Sequence, residues 1–182
     1  MKVLFLDFDG VINNEQTFEE LKQAEFTPTD SELQLIRKLI VQDPRHNESF
    51  WLNTIRSLDS KLIAHITSII KATGAKVVIS SAWRNTFSLQ ILELLLKHHG
   101  FTGEVIDSTP SKMSLHSRAG EIFMWLRNAK ENKLNVENFV IIDDDSSPKN
   151  IEYLVDNLVV TDYSQGLDEA KTLQAIEILK RG

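Results

Sequence analysis

Five short apolar runs constrain this chain more than any other feature: Val3–Asp7, Lys76–Ser80, Glu104–Asp107, Phe139–Asp143 and Leu158–Thr161. They are mostly β-branched and nearly continuous, without the alternation of a half-exposed strand. That is the pattern of strands buried on both faces, as in a parallel sheet. Helical patterns separate them. Leu62, Ile63, Ile66, Ile69 and Ile70 form one apolar face closed by Gly74, and Leu89, Leu92, Leu95 and Leu96 form another ending near Gly100. Ile122, Trp125, Leu126 and Ala129 form a third, and Leu173, Ile176 and Leu179 a fourth. Strands alternating with amphipathic helices predict an α/β, doubly wound (Rossmann-like), mostly parallel five-stranded sheet with helices on both faces. Binding sites in such sheets form beyond the carboxyl ends of the strands.

The one irregular stretch is 11–60. A plain crossover after the first strand needs a single helix, but two further helical patterns occur here. One starts at a Thr29-x-x-Glu32 capping box and carries Leu33, Ile36, Leu39 and Ile40. The other carries Trp51, Ile55 and Leu58, with Pro44 between them. At 182 residues the chain suits a single domain, 1–182, with 11–60 a small helical cap-like insertion over the active face.

The strand ends carry the chemistry. The first leaves Asp7-Phe8-Asp9-Gly10, whose two carboxylates start on one face of an extended chain before the glycine allows a sharp turn. The second leaves Ser80-Ser81-Ala82-Trp83-Arg84, the third Asp107-Ser108-Thr109-Pro110, and the fourth Asp143-Asp144-Asp145. Carboxylates converging on one sheet edge repel each other and are costly to desolvate, so a divalent cation is the expected neutraliser. Oxygen ligands without a His or Cys cluster favour Mg²⁺ over zinc or copper. Mg²⁺ bridges carboxylate and phosphoryl oxygens, and the nearby hydroxyls and cations suit the rest of a phosphoryl group.

Composition removes several alternatives. The absence of cysteine excludes disulfides, thiolate zinc sites and cysteine nucleophiles, and fits a cytoplasmic location. A net charge of -6 does not support broad attraction to nucleic acid, although a local basic groove stays open. No window is apolar enough to span a membrane, and Asp7 and Asp9 cut the first apolar run short of a signal sequence.

In order along the chain, Asp7-x-Asp9-Gly10-Val11 after the first strand, a hydroxyl after the second and paired aspartates after the fourth resemble the haloacid dehalogenase superfamily. Ser80-Ser81-Ala82-Trp83-Arg84, Thr109-Pro110, Arg118-Ala119-Gly120-Glu121-Ile122 with Trp125-Leu126, and Val140-Ile141-Ile142-Asp143-Asp144-Asp145 are similar to its branch of "Swiss army knife" RNA-repair proteins. The resemblance implies a Mg²⁺-dependent phosphohydrolase acting through an aspartyl-phosphate. Asp7 is then the nucleophile, and Asp9 the acid and later the base. Dehalogenase members lack the second aspartate, so Asp9 implies phosphoryl transfer rather than carbon–halogen cleavage. Ser80, with Ser81 beside it, supplies hydroxyls to the phosphoryl group. Asp7, the backbone carbonyl of Asp9 and Asp143 hold the metal, with Asp144 or Asp145 acting directly or through water. The family's cation comes from a helix start between the third and fourth strands. Arg118 fits that place best, with Lys112 its competitor and Arg84 a third candidate.

Other motifs have ordinary explanations. His46, His65, His98, His99 and His116 show no ligand spacing, and His98-His99 suits a helix C-terminus. Trp51, Trp83 and Trp125 are expected to be packing residues, although Trp83 lies close enough to the site to touch substrate. Two other functions compete with the phosphatase: a metal-dependent nuclease without a covalent intermediate, and a non-catalytic module that senses phosphate or metal. The expected substrate is a small-molecule or oligonucleotide phosphate ester.

Overall fold

The structure, a computed structural model, describes residues 1–23, 27–111, 117–145 and 152–181. Its sheet consists of β1 (Lys2–Leu6), β2 (Lys76–Ile79), β3 (Val105–Ser108), β4 (Asn138–Asp143) and β5 (Leu158–Val160). All pairings are parallel and the spatial order is β3-β2-β1-β4-β5. β1 is therefore central, with Leu4 opposite Val77 on one side and Val140 on the other.

The continuous apolarity of the inner strands follows from cover on both faces. Leu4, Leu6, Val77, Ile79, Val140 and Ile142 point into one core, and Val3, Phe5, Val78 and Ile141 into the other. The first core is capped by α2 (Asp30–Gln42), α3 (Glu48–Arg56), α4 (Ser60–Thr73), α5 (Leu89–His98) and α8 (Glu169–Lys180). The second is closed by α6 (Arg118–Glu131) and Leu154 of the short α7 (Glu152–Val155). There Phe5 meets Trp125 edge-on with ring centroids 5.3 Å apart.

The helix ends follow from local chemistry. The capping box forms as expected: Glu32 N–H donates to Thr29 Oγ1 and Thr29 N–H to Glu32 Oε2, at 3.3 and 2.7 Å. Glu32 also accepts from Arg56 Nε of α3 at 2.7 Å, which fastens the start of α2 to the end of α3. The Arg56 hydrogen bond holds the Glu32 carboxyl down at about 2. Leu35, Ile36 and Leu39 of α2 and Trp51 and Ile55 of α3 enter the same core as β1.

Three features differ from the sequence expectation. Residues 11–60 contain an additional helix, α1 (Glu15–Gln23), whose only buried residue is Thr17. Its inner face is only Thr17 with the half-buried Phe18 and Leu21, a stripe too short to mark a helix in the sequence. In α8 the buried face is Thr172, Ala175, Ile178 and Leu179, and Leu173 is exposed. His99 does more than sit at a helix end. Its ring bridges the Ile55 carbonyl and Ser60 Oγ, and burial lowers its pKa. Among the described residues no helix is long and apolar enough to cross a membrane.

Candidate active site

The carboxyl edge of the sheet is held in register beyond the strands themselves. Asp7 N–H donates to Ile142 O, Ser80 N–H to Leu6 O, Thr109 N–H to Ile79 O and Thr161 N–H to Asp143 O, at 2.8–3.1 Å. Each strand thus delivers its last polar side chain to one line. Asp7, Ser80, Ser81, Thr109, Asp143 and Thr161 are all buried there.

At the centre, carboxylate oxygens of Asp7, Asp143 and Asp144 lie within 4.8 Å of one another. Burial pushes the Asp7 and Asp144 carboxyls above their usual range and the Asp143 carboxyl up to about 7. The mutual repulsion of the aspartates adds to this, while Arg118 pulls Asp7 and Asp143 the other way. Gly10 makes the crowding possible. It adopts φ +69°, and a Cβ there would lie 2.6 Å from Asp144 Cβ and 2.7 Å from Asp144 Oδ2. Thr161 Oγ1 donates to the Gly10 carbonyl at 2.7 Å, fixing the turn from the far side of the sheet edge.

Arg118 opens α6 immediately after its N-cap, Ser117. Its Nη2 donates to Asp7 Oδ2 at 2.9 Å. Its Nε lies 3.0 Å from Asp143 Oδ2, but the N–H is not aimed at that oxygen. Asp143 Oδ2 is therefore charge-paired yet accepts no hydrogen bond, although it is buried. A donorless carboxylate oxygen beside two further carboxylates, with only oxygen ligands at hand, fits a hard divalent cation such as Mg²⁺. Ser80 Oγ and Thr109 Oγ1 are likewise buried without a partner.

Arg84 has a different task from Arg118. It donates from Nε to Thr109 O and from Nη1 to Ser80 O, at 3.0 and 3.1 Å, and also to Ser81 O. Its Nη2 pairs with Glu121 of α6 at 2.6 Å. The guanidinium is thus committed to joining the ends of β2 and β3 to the first turns of α6. Ser81 caps the 3₁₀ turn Ala82–Asn85, and its side chain also helps hold the Asp7 carboxylate. Lys112 lies outside the described residues. Asp145 is exposed, and its N–H donates to Asp143 Oδ1.

The Asp9 side chain is not in the carboxylate trio. Its carboxylate accepts from Asn13 Nδ2 at 2.9 Å and from Trp83 Nε1 at 3.2 and 3.0 Å. Asn13 Oδ1 in turn accepts from Gly10 N–H at 3.0 Å. Asn13, Glu121 and Thr161 had no role in the sequence expectation. Only Asn13 carries a local signal, because an Asn three residues after a glycine turn suits such a side-chain-to-backbone bond.

An all-parallel sheet of this order, with three carboxylates, unpartnered hydroxyls and an arginine gathered at its strand ends, defines an α/β domain with a candidate cation site at the carboxyl edge of its sheet. The chain belongs to the family described as the HAD domain in Swiss Army Knife RNA repair proteins, matched over residues 3–172. That membership makes it a HAD-type hydrolase domain. No curated protein and no solved structure matches the chain.

Proposed function

We propose that this protein is a Mg²⁺-dependent phosphomonoesterase working through an aspartyl-phosphate on Asp7. The observation that carries this is the Asp7–Asp143–Asp144 cluster, with Arg118 bridging two of its members and the unpartnered Ser80 hydroxyl on the next strand. An Asp7 oxygen attacks phosphorus; the new O–P bond forms as the ester P–O bond breaks, and Asp9 gives its proton to the leaving oxygen. Water then attacks phosphorus, Asp9 takes a proton back, and the Asp7–phosphate bond breaks to release inorganic phosphate. Arg118 and Ser80, with Ser81 beside it, hold phosphoryl oxygens as charge spreads over them. A Mg²⁺ held by Asp7, Asp143, Asp144 and the Asp9 carbonyl supplies Lewis-acid stabilisation of that charge.

For the substrate we favour a terminal phosphate on a nucleotide or polynucleotide. The RNA-repair context of the family supports it. With a net charge of -6, such a chain would grip a nucleic acid at its end rather than by broad electrostatic attraction. The test is release of phosphate from an aryl phosphate with Mg²⁺, followed by a panel of nucleotides, 3′- and 5′-phosphorylated oligonucleotides and small phosphate esters. EDTA abolishes turnover, Asp7→Asn lowers it by roughly a thousandfold or more, and beryllofluoride binds the wild type but not Asp7→Asn. Folded, Mg²⁺-loaded protein that hydrolyses no phosphomonoester refutes the proposal. Cleavage of internal phosphodiesters without beryllofluoride binding identifies a nuclease instead.

A further inference from the structure

The geometry points to Trp83 as the positioning residue of the acid–base group Asp9, an assignment that rests on the phosphomonoesterase proposed above. The indole N–H donates to both Asp9 oxygens, at 3.0 Å to Oδ2 and 3.2 Å to Oδ1. With Asn13 Nδ2 at 2.9 Å from Oδ1, these contacts fix both side-chain torsions of Asp9. Asp9 is close enough for its charge to raise the pKa of both Asp7 and Asp144. The carboxyl is thus held beside the nucleophile, where it can meet the leaving oxygen.

The indole is itself held rigidly. Its ring packs on the fully buried Phe8, which lies between the two aspartates in sequence, with centroids 5.2 Å apart, and on Phe87 at 5.8 Å. Its backbone N–H donates to Ser81 Oγ in the cap of the 3₁₀ turn. Arg84 grips the Ser80 and Ser81 carbonyls of the same segment. One short stretch, Ser80–Arg84, therefore fixes the candidate phosphate hydroxyls and the orientation of the acid together. A side chain retained only for packing needs no polar edge aimed at a carboxylate, and indole is chiefly an apolar body with a single donor.

Protonation of the leaving oxygen matters for alkyl esters, whose alkoxides are poor leaving groups, and hardly at all for a nitrophenyl ester. Since kcat/KM reports the steps up to release of the alcohol, it isolates the acid's task from the later attack of water. Trp83→Phe keeps the ring and removes the donor. The expected result is a fall in the ratio of alkyl to nitrophenyl kcat/KM by about ten- to a hundredfold, the worth of one hydrogen bond to a charged group. A purely structural tryptophan would lower both values alike and leave the ratio unchanged, which overturns the inference. Independently of turnover, the Trp83 indole proton resonance moves upfield in Asp9→Ala; a resonance that stays in place overturns it as well. Wild-type protein inactive on both esters refutes the phosphomonoesterase itself, and this assignment with it. A changed nitrophenyl-to-alkyl balance in an active enzyme tests Trp83 alone.

Discussion

Replacing Gly10 by alanine separates two costs that usually arrive together. Gly10 and Gly74 share the same backbone conformation, φ +69°, but not the same surroundings. A Cβ at Gly74 meets nothing within 4 Å, whereas one at Gly10 falls 2.6–2.7 Å from Cβ, Cγ and Oδ2 of Asp144. Gly74→Ala should therefore lose about 1–2 kcal/mol, the strain of a left-handed alanine. Gly10→Ala bears that strain and an overpacking term of about 1–3 kcal/mol more. Asp144 cannot escape by changing rotamer, because its Cβ is itself in the clash, so its backbone must shift and its carboxylate leaves the cluster. Misplacing a group by ~1 Å can cost on the order of a hundredfold in function, and Mg²⁺ affinity should fall by about ten- to a hundredfold. Denaturant unfolding of both variants, with Mg²⁺ titrated calorimetrically, measures each part. Equal stability losses in the two variants, with Mg²⁺ binding unchanged in Gly10→Ala, would refute the proposed link between the Gly10 turn and Asp144.

The Asp143 carboxyl, raised from 3.8 to about 7, should make the metal-free protein less stable as pH rises between those values. Across that window the folded state binds more protons than the unfolded one, so the contribution to unfolding free energy declines with pH. Thermal melts from pH 4.5 to 7.5 check the sign, and saturating Mg²⁺ should flatten the decline. The Arg84–Glu121 pair, with Arg84 enclosed and Glu121 half-buried, gives a second test, because removing Arg84 leaves the Glu121 charge without its partner and three carbonyls without their donor. Arg84→Met should cost about 2–3 kcal/mol, and Arg84→Met/Glu121→Leu should recover part of it in urea unfolding.

Much of the fold was legible because its strands are buried on both faces, which writes a continuous apolar run into the sequence. The observed strands fall within a residue or two of those runs. Helices that bury little, or that bury small residues, left no such mark. α1 buries only Thr17 fully, with Phe18 and Leu21 half-buried, and α8 meets the core through Thr172 and Ala175 as well as Ile178 and Leu179, so a search for large apolar side chains put Leu173 on the wrong face. At the site, Asp7, Asp143 and Asp144 could be found because carboxylates at strand ends are costly without a partner. The arginines could not be separated in this way. Only the family resemblance ranked Arg118 first, by its place at a helix start, and the task of Arg84 depends on Glu121, 37 residues away in sequence and 2.6 Å from it in space. The role of Trp83 similarly exists only once the loop after β1 folds against the turn after β2, whereas Asn13 acts within its own loop.

The sheet order has a consequence for the biogenesis of the site. β1 is the first strand to be synthesised, yet it lies between β2 and β4, pairing Leu6 with Ile79 and with Ile142. On a ribosome β1 and Asp7 are made before either neighbouring strand, and their pairing is complete only when β4 follows. By then α6 has already been made, so Arg118 precedes Asp143 and Asp144 out of the exit tunnel. The counter-charge is present before the repulsion it must offset. The order of translation thereby spares the nascent chain a stage in which the complete acidic cluster would have to form without its arginine.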